Sequence, residues 1–187
     1  MPGLLFLLII PVALIIFVIA VYNSLAAKRA NVQNAFAGID VQLKKRCDLI
    51  PNLVSSVKAY MTHESGTLEK LTGLRTRAAA ATDPAERLAL DKELSGALKG
   101  LMVQVESYPD LKSSANVIQL QKSLNEVEEQ ISASRRAYNA AVTDYNLAIR
   151  IFPNNLFAGM FGHTESPLFE AAPDDRANPN VGDLFNK

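Results

Sequence analysis

The sequence predicts an all-α protein: an N-terminal transmembrane helix followed by a long antiparallel helical bundle of three to four helices with coiled-coil-like packing. Three observations carry that expectation. Residues 3–22 hold no charge, and beyond them apolar residues recur at steps of three, four and seven. Hydrophobic residues make up 49% of the chain, yet aromatics are only 7% and Trp is absent, a balance that suits Leu/Ala/Val-rich helices better than a β-sandwich. A length of 187 residues gives one domain of ordinary size with extra segments at its ends, and excludes a large multidomain enzyme.

The first element, residues 1–23, is the anchor. Gly3 to Tyr22 reads GLLFLLIIPVALIIFVIAVY, and twenty helical residues span about 30 Å, the thickness of a bilayer's hydrocarbon core. Pro11 interrupts the run without ending it, since membrane helices tolerate proline where the freed carbonyl finds a local partner. Tyr22 stands at the interface end, where belt aromatics gather. A cleaved signal peptide is the rival reading, but no Lys or Arg precedes the apolar run, which is also longer than a usual signal core. Lys28, Arg29, Lys44, Lys45 and Arg46 all follow the run. Positive-inside logic therefore puts the N-terminus outside and the helical domain in the cytoplasm, on a bacterial cytoplasmic membrane crossed once.

The second element, residues 24–152, is the bundle. Leu25, Val32, Phe36, Ile39, Leu43, Ile50, Val54, Val57, Met61, Leu68 and Leu71 form a heptad seam. Pro51 does not shift its phase, so one reading is a kinked continuous helix from about 24 to about 80. The other breaks the rod at Pro51 and folds it into a compact four-helix bundle. Asp83 and Pro84 form an N-cap and a first helical position. They open a helix to about Ser107, which Tyr108, Pro109 and Asp110 break. The last helix carries Val117, Leu120, Leu124, Val127, Ile131, Ser134, Tyr138, Ala141, Tyr145, Ile149 and Phe152 on one face and stops at Pro153.

The third element, residues 153–187, is Pro-rich and net acidic (Glu165, Glu170, Asp174, Asp175 and Asp183 against Arg176 and Lys187). It reads as loop or partly irregular chain. If the last helix returns to the bilayer, Leu156, Phe157, Met160 and Phe161 join Tyr22 as membrane-interface contacts. The plainer reading has these side chains covering the open end of the bundle.

Little chemistry is on offer. Lys plus Arg and Asp plus Glu are 19 each, so no basic footprint supports nucleic-acid binding. One Cys (Cys47) and two His (His63, His163) are too few for a zinc site or a disulfide framework. No Walker loop, GxGxxG or Ser/His/Asp order appears. The pair His63 and Glu64 lacks the enclosing pocket that acid/base work needs. No catalytic residue, cofactor or metal is therefore expected. Cys47 reads as a small buried hydrophobe.

Arg46 falls on the heptad seam, three residues after Leu43 and four before Ile50. Either it is buried against Glu126, Glu128 or Glu129 of the last helix, fixing helix order at some cost in stability, or Cys47 fills the seam and Arg46 reaches to solvent. In the first case Asp40, Asp48, Asn52, Arg136, Asn139 and Asn146 extend a structural polar network.

Three stretches carry a family likeness: YNSL at 22–25, IDVQLKKRCDLIPNLVSSVKAYMTHE at 39–64, and LQKSLNEVEEQISASRRAYNAAVTDYNLAIRIFP at 120–153. Together they resemble the LemA family over nearly the whole chain. His163, where an aromatic is expected after Gly162, departs from the pattern. The resemblance implies a single-pass bacterial membrane protein with a helical-bundle domain and no established enzymatic activity, with some members associated with magnetosome membranes. The function expected is a non-enzymatic membrane-anchored scaffold, a homo-oligomer in contact with the lipid bilayer that organises or shapes it. The alternative is an adaptor or sensor for another envelope protein, such as a membrane protease, with the acidic tail as its recognition segment.

Overall fold

A computed structural model describes residues 2–169, and the described residues are all helix and connecting turns. The order is α1 (Pro2–Lys58), a single 3-10 turn (Thr62–Glu64), α2 (Ser65–Ala80), α3 (Pro84–Val105), α4 (Pro109–Lys112), α5 (Ala115–Arg150) and α6 (Asn154–Ala158). They divide into two compact units. Of the described residues, 2–35 together with 135–169 form an anchor unit, and 36–134 form a bundle unit. Helices α1 and α5 each supply residues to both units.

In the bundle unit Pro51 sits inside α1, so neither a chain reversal nor an end occurs there. Its missing N–H leaves the Cys47 carbonyl without its helical donor. The Arg75 Nε donates to that oxygen at a long 3.4 Å. The expectation of one rod to about residue 80 is corrected: α1 ends at Lys58, and Tyr60 and Met61 both donate their N–H to the Val57 carbonyl at 3.0 Å. Met61 leaves helical geometry at φ −105°, ψ 55° and buries its side chain in the core. Four helical segments thus surround this core, as the folded-back alternative foresaw, but the turn lies eight residues beyond Pro51.

Helices α2 and α3 pack as a hairpin through Leu68, Leu71 and Leu74 of the first and Leu90, Leu94 and Leu98 of the second. Ala78 and Ala81 are buried in the core, so the Ala-rich stretch is used within the chain. Asp83 caps α3 as expected, its Oδ2 accepting from the Glu86 N–H at 2.9 Å, with Pro84 in the first turn. Leu53, Val57, Leu71, Leu101 and Leu111 are fully buried. The short helix α4 serves to drive Leu111 into this core.

In the anchor unit Val21, Leu25 and Val32 of α1 meet Val142, Tyr145, Ala148 and Ile149 of α5 and Ala158 of α6. The two long helices run antiparallel: Lys28 pairs with Asp144 at 2.6 Å, while Phe17 meets Phe157 just past the end of α5. Over Ile9 to Tyr22 the α1 side chains are largely exposed. The helix is long and apolar enough to cross a membrane.

The segment after α6 is more ordered than a Pro-rich tail suggests. Gly162 takes φ +69°, a left-handed conformation that glycine adopts without strain. Its N–H donates to Gly159 O at 3.2 Å and that of His163 to Ala158 O at 2.9 Å, which is the Schellman pattern of helix termination. The chain then runs back along α5. Asn146 exchanges two hydrogen bonds with the backbone of Ser166 (2.8 and 2.9 Å) and Asn139 two with that of Phe169 (2.9 and 2.7 Å). Seven helical residues rise about 10.5 Å and three extended residues cover about 10 Å, so the two asparagines match the two backbone sites in register. The acidic Asp174, Asp175 and Asp183 lie outside the described residues.

Candidate membrane-facing site

Two places in the molecule concentrate unusual chemistry, one in each unit. In the bundle unit it is Arg46, 2% exposed. Its Nη1 donates to Asp91 Oδ1 at 2.5 Å and to Ser95 Oγ at 2.6 Å, both on α3, and its Nη2 pairs with Glu128 on α5. Solvent exposure of Arg46 is thereby excluded. One of the three glutamates proposed as partners is met, while the main buried partner, Asp91, was missed. Asp91 sits one residue after the seam residue Leu90, and no spacing in the sequence distinguishes it from a solvated acid.

The remaining members of the expected network are dispersed. Asp40 pairs with Arg87, and Asp48 with Lys44 on the surface at 3.0 Å. Asn52 contributes its backbone carbonyl to the Ser56 hydroxyl, at 2.8 Å. Glu126, Glu129 and Arg136 lie on exposed faces. Asn139 and Asn146 hold the returning segment in the other unit. The network is corrected to Arg46, Asp91, Ser95 and Glu128, because two turns of α5 separate Glu128 from Arg136.

A cleft beside this cluster is lined by Asp40, Lys44, Cys47, Arg75, Arg87 and Asp91. Its carboxylates are engaged by the pairs just described. Burial, reinforced by Asp91, pushes the Cys47 thiol up, which makes it a poor nucleophile. Among the described residues no group of three or more His, Cys, Asp or Glu is placed to hold a metal ion. His63 is exposed, and Glu64 accepts from the Tyr108 hydroxyl at 3.0 Å, so the two adjacent side chains do not act as a pair.

In the anchor unit the chemistry is apolar and aromatic. The Phe161 ring meets Tyr22 edge-on at 5.1 Å, Phe157 meets Phe17 at 6.2 Å, and Phe157 and Phe161 stack at 6.3 Å. Of the five residues expected to face a membrane, Tyr22, Phe157 and Phe161 thus pack on one another, while Met160 is 79% exposed with Leu156 beside it. Phe152, expected on the buried face of α5, is 76% exposed, because α5 has already ended at Arg150. Behind the aromatics His163 takes the slot of an aromatic side chain. It is buried against Tyr145, with ring centroids 5.9 Å apart, and its Nδ1 shares a hydrogen bond of 3.0 Å with the Tyr145 hydroxyl. Burial first, and the Arg29 charge second, hold its pKa down, which keeps the imidazole neutral.

Comparison with known proteins agrees with this architecture. The chain is 27% identical over 165 residues to Protein LemA of Metamycoplasma hominis, an alignment covering 88% of this chain and 75% of that protein. It is 35% identical over 86 residues to Magnetosome protein MamQ 2 of Paramagnetospirillum magneticum and 31% identical over 86 residues to Magnetosome protein MamQ of Magnetospirillum gryphiswaldense. Each of these two alignments covers 46% of this chain and only 32% of the magnetosome protein. The family model described as LemA family matches residues 35–182, and the chain belongs to the LemA family.

Proposed function

We propose that this protein is a non-enzymatic, membrane-anchored helical scaffold whose copies associate in the plane of the bilayer and so organise or shape it. The observation that carries the reading is the division of labour along α1. One uninterrupted helix exposes an apolar surface over Ile9 to Tyr22 and then, from Phe36 to Lys58, contributes a packed face to a bundle whose buried charge is already paired. A stretch apolar all round is suited to lipid or to the same stretch of another copy. Val41, Val103 and Ile118 are apolar side chains that the bundle leaves uncovered. The similarity to two magnetosome proteins supports a membrane setting.

The same reading puts the N-terminus outside and the bundle in the cytoplasm. Lys28 and Arg29 are the basic residues nearest the apolar stretch and weigh most; Arg46 is buried and paired, and adds nothing. A reporter fused after Lys187 should be active only as a cytoplasmic reporter, and activity only outside would reverse the orientation. Self-association is tested by energy transfer between donor- and acceptor-labelled full-length copies in vesicles of rising lipid content. Transfer that persists on lipid dilution is expected, and transfer that falls to the value for random mixing would overturn the scaffold. The adaptor reading has its recognition element in the tail. Residues 163–169 are already engaged by α5, so the deletion that tests it starts at residue 170.

A further inference from the structure

We propose that the segment from Ile151 to Phe161 is a second membrane contact, lying in the headgroup–acyl boundary of the bilayer that holds the α1 apolar stretch. The inference rests on the membrane-anchored reading and deepens it by naming a second lipid-facing surface. No residue from Ile151 to Phe161 is charged, an unusual run for a turn-rich connection in water.

The inward side chains set its position. Phe157 meets Phe17 and Phe161 meets Tyr22, and those two α1 residues are five apart, a rise of about 7.5 Å. The segment therefore lies alongside the last turn and a half of the apolar stretch, within the depth of roughly 5–10 Å that interfacial helices occupy. The outward side chains are Phe152, Leu156 and Met160, all exposed in the protein.

Several backbone groups of the segment are paired internally, which suits such a site. The Asn155 N–H donates to Ile151 O (3.0 Å), Leu156 to Pro153 O (3.2 Å) and Phe161 to Phe157 O (3.0 Å), while the Asn154 side-chain amide donates to Ala148 O (3.1 Å). In an apolar boundary, polar backbone groups require such internal partners. Charge returns immediately outside the segment, where Arg150 grips Glu165 with two hydrogen bonds of 2.6 Å on the exposed surface. The occupant is lipid, because the rings of Phe157 and Phe161 fasten the segment to the uncharged stretch of α1 at Phe17 and Tyr22, where Ile16 and Ile19 are themselves exposed.

The chain has no Trp, so a single introduced Trp is an unambiguous probe. Met160→Trp and, separately, Ile16→Trp are placed in the full chain and reconstituted into phosphatidylcholine–phosphatidylglycerol vesicles, with and without lipids brominated near the headgroup end of the acyl chain. Met160→Trp should emit to the blue of its value in denaturant and lose emission to bromine about as strongly as Ile16→Trp. Quenching of Ile16→Trp without quenching of Met160→Trp would overturn the inference and leave the anchor intact. A blue shift at Met160→Trp without quenching would also overturn it, in favour of a second copy covering the patch. If neither position is quenched, the membrane reading itself fails, and the inference with it.

Discussion

In the bundle unit the buried polar group is a full charge, Arg46, held by Asp91, Ser95 and Glu128 on two other helical segments. In the anchor unit the buried polar groups are a tyrosine hydroxyl and an imidazole, and beside the exposed Arg150–Glu165 pair the returning chain is fastened in register by asparagine amides on backbone. The difference teaches what each device does. A desolvated charge tolerates no substitute partner, so it specifies which helices meet at the cost of net stability. Neutral hydrogen bonds are weaker singly and dictate register, which is what a chain laid along a helix needs.

The largest effect is expected from breaking the charge pair one-sidedly. Asp91→Ala should lower the stability of the bundle unit by about 3–5 kcal/mol, the cost of leaving a buried charge poorly compensated, as read by urea unfolding of the full chain in mild detergent. Replacing both partners, Arg46→Met with Asp91→Leu, should recover most of that loss. A double variant as unstable as the single would show that the pair does more than specify helix order.

Next is the asparagine register. Asn146→Ala removes both hydrogen bonds to Ser166 at about 1 kcal/mol each. It should speed hydrogen exchange at the Ser166 amide while leaving amides near Leu101 unchanged. Equal acceleration at both places would mean that the asparagine does not act locally.

A smaller effect should come from His163, whose pKa is lowered from an ordinary 6.5 by burial and Arg29. A group held neutral in the fold takes up a proton less readily folded than unfolded. Its contribution is therefore complete above the unfolded pKa and is lost as pH falls through that value toward the depressed folded one. Thermal unfolding at pH 8 and at pH 5 should show this loss in the parent chain, reduced in His163→Phe. The smallest change belongs to Lys28→Met, which removes a half-exposed ion pair with Asp144 and should cost no more than about 1 kcal/mol. A larger loss would mark that pair as part of the core of the anchor unit.

How much of this was legible in the sequence depends on which interactions periodicity can register. The seam from Leu25 to Val57, the Asp83 cap and the apolar stretch are repeats or local signals, and the protein has them where expected. The end of α1 at Lys58 was not legible because Val57, Met61, Leu68 and Leu71 keep heptad spacing across the turn. The turn falls at residues 59–61, where Met61 leaves helical geometry and no residue type in the sequence marks the break. Asn139 and Asn146, seven residues apart, were assigned to the Arg46 network because spacing reveals a face but not what lies on it. The seam made burial of Arg46 one of two readings and could not decide between them, while Asp91 needed the α2–α3 turn to bring it there.

The central claim, that this is a self-associating membrane scaffold, is tested most directly by the mass of the full-length protein in mild detergent, measured by light scattering over a wide concentration range and checked by electron-microscope imaging of the particles. A large assembly of uniform size is the predicted result. A monomer at every concentration would contradict the claim.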